Sequence, residues 1–128
     1  MLEIFAVGAG GFIGAILRYL VSGWTQRAFG ESGFPIGTLV VNLAGCLIIG
    51  LLAGLTETRE MFSPHIRIMI FVGVLGSFTT FSTFGQQTHM LLRDGHLIVA
   101  ASSVLLNVII GISAAWGGYA LTTFSTKI

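Results

Sequence analysis

The sequence predicts an all-α membrane protein: one domain over residues 1–128, with four transmembrane helices. Composition is the first reason. Of 128 residues, 54% are hydrophobic and only 9% are charged, with mean hydropathy +0.93. Soluble domains carry about 25% charged residues, and a chain this short cannot bury so much apolar surface in a water-soluble core. Charge spacing is the second reason, because the charged residues leave long uncharged runs between them. Glycine is the third: 18 residues, with Gly10/Gly14 and Gly50/Gly54 at GxxxG spacing. Such small residues let helix backbones approach closely in lipid, where packing replaces the hydrophobic drive.

Helix one starts from residues 4–17, a run of 14 that becomes long enough if it continues past Arg18 to about Trp24. Helix two lies in residues 33–56 (24 residues), helix three in 68–92 (25) and helix four in 95–126 (32). At ~1.5 Å per residue the shortest of these reaches ~36 Å, enough for a hydrocarbon core of ~30 Å. The pieces between them, residues 25–32, 57–66 and 93–96, are too short for a soluble domain. The start, Met1-Leu2-Glu3, lacks the positive segment of a secretory signal, so the first apolar stretch reads as a retained membrane segment. Lone Cys46 excludes an intramolecular disulfide, and a net charge of +1 gives no surplus to attract nucleic acid.

Helix three has an unusual composition. Gly73, Gly76, Ser77, Thr79, Thr80, Ser82, Thr83 and Gly85 crowd it, and such residues weaken regular helix. The spacing predicts an interruption over residues 73–80. Broken helix at membrane depth is tolerated where it is buried or lines a cavity. Two readings stay open here, an ion site or a polar helix buried by its neighbours.

The loops alternate sides. One side holds Arg59, Arg67 and Lys127; the other holds Arg27 and Arg93, with Arg18 near that end of helix one. Three positive residues against three give no positive-inside bias. A balanced chain inserts both ways, and opposite copies then pair about an axis in the membrane plane, as inverted repeats do in transporters. The other outcome is a residual bias, such as the N-terminal amine, that fixes one orientation.

No catalytic constellation appears, so an enzyme is not expected. His65, His89 and His96 follow no metal-ligand spacing, and the five carboxylates lie at or beyond helix ends. Proton-coupled carriers need an ionisable group within the membrane, so passive permeation is favoured. The interior offers neutral polar chemistry instead. Asn42 lies mid-helix with Thr38 one turn before it, and Phe81 and Phe84 share a face. An amide NH₂ supplies two donors, and a phenyl edge is partly positive. Each also has a plainer role: interhelical glue for Asn42, packing for the Phe pair.

The chain resembles the Fluc/CrcB family of fluoride channels over essentially its full length. The matching stretches are Gly10-Gly11-Phe12-Ile13-Gly14-Ala15-Ile16-Leu17-Arg18-Tyr19, Gly37-Thr38-Leu39-Val40-Val41-Asn42-Leu43-Ala44-Gly45, and Gly73-Val74-Leu75-Gly76 followed by Thr79-Thr80-Phe81-Ser82-Thr83-Phe84. The resemblance implies an antiparallel, dual-topology homodimer in the cell membrane, read as a bacterial inner membrane, with two fluoride pathways. It also implies a structural sodium ion at the centre, bound by backbone carbonyls of Gly76 and Thr79. Asn42, Phe81 and Phe84 match the family's pore residues. Ser82 and Thr83 match its hydroxyl track, with Thr38 as a further member. Arg18 matches a helix-one arginine, expected near a watery vestibule or snorkelling to headgroups. The chain departs from common family residues at Ser77, Gly85, Gln87 (often Glu) and Ile112 (often Ser), which bears on the ends of the polar track. The rivals are a dual-topology small multidrug carrier and a structural subunit without transport. The carrier should place a glutamate within helix one, whereas Glu3 is expected to precede that helix.

Overall fold

The computed structural model describes residues 1–30, 33–59 and 62–124. They form four helices, each long and apolar enough to cross a membrane: α1 (Leu2–Phe29), α2 (Ile36–Arg59), α3 (Pro64–Arg93) and α4 (Leu97–Phe124). The described part is all helix and short connections. Most large apolar side chains, among them Phe12, Leu20, Ile98, Ile112 and Trp116, point outward. That distribution suits lipid as the solvent.

α1 runs five residues past the expected Trp24. Its polar end stays helical because side chains bond the preceding turn: Thr25 Oγ1 donates to Val21 O (2.7 Å) and Arg27 Nε to Gly23 O (3.1 Å). Gln26 then ties α1 to the start of α2, donating from Nε2 to Phe34 O and accepting the Gly37 N–H at Oε1, both at 3.1 Å. Two placements change as a result. Arg18 stands eleven residues before Phe29, about 16 Å from that end, rather than near it. Glu3 lies in the first turn of α1 rather than ahead of the helix. The α2–α3 connection is shorter than expected. α2 keeps residues 57–59, and α3 opens at Pro64 behind Ser63, where proline's missing N–H costs nothing. The α3–α4 turn needs a left-handed residue, and Gly95 supplies it at φ 82°. Lys127, counted in the charge balance, lies outside the described residues.

Two glycine seams hold the helices together. A Cβ on Gly10 would collide with Met69 O, and one on Gly14 with Val74 O, so α1 lies directly on the backbone of α3. A Cβ on Gly50 would collide with Ala115 O, and one on Gly54 with Thr122 Oγ1, so α2 meets α4 in the same way. Both GxxxG pairs are thus packing devices, as expected.

α3 is interrupted, but over a shorter stretch than residues 73–80. Met69–Leu75 has π-type winding and Gly76–Phe78 is α-helical. Only Thr79 (φ −83°, ψ 160°) and Thr80 (φ −151°, ψ 115°) are extended, and Phe81–Arg93 is helical again. Gly73 stays wound because it is clamped against Gly10 and the Val7 carbonyl of α1. α4 carries a π-type turn at Leu106–Ile110 that no sequence signal had indicated.

Candidate functional site

The break leaves backbone polar groups without helical partners, and in lipid these must be satisfied within the protein. Thr80 does part of this locally. Its Oγ1 accepts the Thr83 N–H (3.2 Å) and donates to Thr83 Oγ1 (2.9 Å), capping the second half of α3, with Ser82 Oγ 3.4 Å away. Asn42 of α2 does the rest. Its Oδ1 accepts the Thr80 N–H at 2.9 Å, and its Nδ2 donates to Thr80 O at 3.2 Å. The other Nδ2 hydrogen goes to Asn107 Oδ1 of α4 at 2.9 Å. Asn107 in turn donates to Ser103 O, one turn earlier, at 2.9 Å. Three helices therefore meet through two carboxamides at the break.

This geometry qualifies the sequence reading of Asn42. Both of its N–H donors are engaged by protein acceptors, so an incoming anion gains one only by displacing Asn107 Oδ1 or Thr80 O. Asn107 and Thr80 were not singled out from the sequence. An Asn inside the fourth apolar run is the same kind of signal that pointed to Asn42, and Thr80 three residues before Thr83 has N-cap spacing.

Asn42, Gly76, Thr79, Phe81, Phe84 and Asn107 line one cavity of about 320 Å³, with Gly45 and Cys46 at its wall. The two rings are 5.6 Å apart, tilted by 54°. Phe84 is 8% exposed and Phe81 82%, so one ring is packed inside the chain and the other stands on its surface. Ser82 is exposed and Thr83 half-buried beside them. Thr38 is buried one turn before Asn42 and does not line this cavity. Arg18 is half-buried on α1, away from the cavity, and its side chain forms no hydrogen bond or ion pair among the described residues.

The carbonyls of Gly76 and Thr79 lose their helical donors. The Thr80 N–H, which a continuous helix would give to Gly76 O, goes to Asn42, and the Thr83 N–H, which would go to Thr79 O, goes to Thr80 Oγ1. Gly76 is exposed and keeps helical angles (φ −61°, ψ −32°), while Thr79 is extended. Such a donor set fits a hard cation, which takes oxygen ligands. No group of three or more His, Cys, Asp or Glu side chains converges on a metal position among the described residues.

Two other spaces lie away from the break. A cleft of about 700 Å³ between α2 and the first half of α3 is lined by Thr56, Glu57, Arg67 and Phe71. A cavity of about 240 Å³ at the opposite end is lined by Gln26, Phe34, Gln87 and Asp94.

Residues 5–119 match a family model described as CrcB-like protein, Camphor Resistance (CrcB). A protein of Methylobacillus flagellatus named fluoride-specific ion channel FluC is 40% identical over 127 residues, 99% of each chain. One named FluC 1 in Methanosarcina acetivorans is 42% identical over 118 residues, 92% of this chain and 88% of the relative. A third FluC, from Maridesulfovibrio salexigens, is 44% identical over 115 residues, 90% of each. Four membrane-crossing helices and relatives that match nearly end to end make this a multi-pass membrane protein, and it belongs to the CrcB family.

Proposed function

We propose that the chain forms a fluoride-specific ion channel, a passive pore and not an enzyme or a pump. The observation that carries this reading is the match, over 99% of both chains, to a relative named for that activity. The site suits it. The cavity at the break is lined by carboxamides and phenyl rings, without a formal charge among its lining residues. A small anion there meets neutral donors and positive ring edges, which hold it weakly enough to let it leave. Fluoride that enters a cell as neutral HF dissociates and is trapped, and a passive pore returns it down its gradient.

The working unit is an antiparallel homodimer with two pathways. Phe81, Ser82 and Gly76 stand exposed on the single chain beside the cavity, where a second copy would cover them. A sodium ion on the dimer axis, held by the Gly76 and Thr79 carbonyls of both copies, would neutralise oxygens that the break leaves unpaired. A proton-coupled drug carrier is disfavoured: Glu3, in the first turn of α1, and Glu57, in the last turn of α2, are the only carboxylates within the four helices, and neither is at mid-membrane.

Liposomes containing only this protein test the proposal. A fluoride electrode should record rapid efflux once a counter-ion path is opened, while a chloride electrode records none. Equal release of both ions, or release of neither, would refute it.

A further inference from the structure

We propose that the cleft between α2 and the first half of α3 is the seat of the α3–α4 hairpin of a second copy, whose Arg93 and Asp94 pair there with Glu57 and Arg67. This seat rests on the antiparallel homodimer reading and adds which surfaces meet in it. Two features of the single chain are incomplete. One is the hairpin formed by Phe81–Arg93 and Leu97–Leu105, which packs mainly on itself and only lightly on α2. A cavity of about 240 Å³ lies between its tip and the α1–α2 connection. Met90, Leu92, Leu97 and Ile98 are exposed along it. The other is the open cleft of about 700 Å³ at the opposite end of the chain.

The cleft is continuous with the face that a second copy would cover. Phe71 lines both the cleft and the cavity at the break. The cleft's wall is apolar at Ala53, Ile68, Phe71 and Val72, and its rim carries opposite charges, Glu57 and Arg67. Glu57 Oε2 accepts the Tyr119 hydroxyl at 2.7 Å, which leaves Oε1 for a cation. Arg67 is exposed, and its side chain forms no hydrogen bond or ion pair among the described residues. The hairpin tip carries the complementary pair. Arg93 Nε donates to Asp94 Oδ1 at 2.9 Å, and the two side chains are 64% and 48% exposed. The Arg93 Nη groups and Asp94 Oδ2 remain for partners outside the chain.

Levels in the membrane agree. Asn42 and Thr80 are hydrogen-bonded and so share the level of the break. Counted from there, Glu57 lies about 22 Å along α2 and Arg67 about 20 Å back along α3. Arg93 and Asp94 lie about 20–21 Å from the break in the other direction. Half a turn about an axis through the break therefore brings the second copy's Arg93 and Asp94 to the level of Glu57 and Arg67. A two-fold interface is reciprocal, so each hairpin fills the other copy's cleft, apolar flank against apolar wall and tip against charged rim. Within one chain the tip and the cleft rim stay about 40 Å apart, at opposite ends of α3.

The test is cross-linking of the full chain in liposomes. Glu57→Cys combined with Arg93→Cys introduces two thiols that a single chain keeps about 40 Å apart. A short bifunctional thiosulfonate should convert most of this variant to a covalent dimer on a non-reducing gel, and reductant should separate it. Glu57→Cys alone and Arg93→Cys alone, which both retain Cys46, should stay single, because like positions lie on opposite membrane faces. If the combined variant fails to assemble, Arg67→Cys with Asp94→Cys takes its place with the same expectation. The ion pairs are read from the thermal midpoint in detergent. Glu57→Arg and Arg93→Glu should each lower it, and the two together should recover most of the loss, with both effects shrinking as salt rises. No recovery in the double variant overturns the pairing. A chain that is dimeric by light scattering but does not cross-link leaves the cleft to lipid or water, and overturns the seat while the homodimer stands. A chain that is monomeric throughout removes both.

Discussion

Asn42 makes three hydrogen bonds at the break, to both backbone groups of Thr80 and to Asn107. In Asn42→Asp an oxygen replaces Nδ2 and faces Thr80 O and Asn107 Oδ1, adding negative charge in a poorly solvated place. Fluoride efflux should fall to background in that variant. Asn107→Ala removes the acceptor of one Asn42 N–H and the donor to Ser103 O, and should lower stability by about 1–2 kcal/mol, measured by thermal unfolding in detergent. The phenylalanines separate transport from packing. Phe81 is largely exposed on the single chain and Phe84 buried. Phe81→Ile should cut efflux at least tenfold with little change in monomer packing. Phe84→Ile should cut efflux and also cost about 1 kcal/mol of packing. Wild-type rates in both Asn42→Asp and Phe81→Ile, with assembly intact, would place the ion's path elsewhere. Asn42 and the Phe pair were legible because a lone amide and paired rings stand out in uncharged runs. The Asn42–Asn107 pairing was not, since contacts across 65 positions leave no trace in local spacing.

At the scale of the element, the break in α3 is the central feature, and it is a cap as much as an interruption. Thr79 ends one helix and Thr80 caps the next, and Thr80→Val removes the Oγ1 that accepts the Thr83 N–H. Losing such a cap costs about 1 kcal/mol, visible as a lower thermal midpoint. Prolonged sodium removal should slow efflux reversibly if the proposed cation sits between the carbonyls of Gly76 and Thr79; efflux indifferent to sodium would refute that site. Composition pointed to the right segment of α3 but overestimated its unwinding. Glycine weakens an isolated helix, yet Gly73 is pressed between turns of α1 and stays wound. The extra length of α1 was hidden for a similar reason. Residues 25–29, which begin with the polar Thr25-Gln26-Arg27, read as loop, but Thr25 and Arg27 bond back onto the helix.

For the whole molecule, three spans follow from charge spacing and the first from a helix that runs on past Arg18, because crossing lipid leaves few alternatives to long apolar helices. Assembly rests on subtler quantities. The positive residues balanced at three a side when Arg18 was placed near the end of α1; it lies about 16 Å deeper. Dual insertion, as proposed for the homodimer, predicts C-terminal reporter tags on both membrane faces, and tags on one face alone would contradict it. Passive fluoride selectivity is tested most directly by the reversal potential of the purified protein in a planar bilayer. With unequal fluoride, equal chloride and an imposed pH difference, the current should reverse at the fluoride equilibrium potential. It should stay there when the pH difference is removed. A reversal potential that follows the proton gradient, or that moves when chloride is varied, would contradict a fluoride channel.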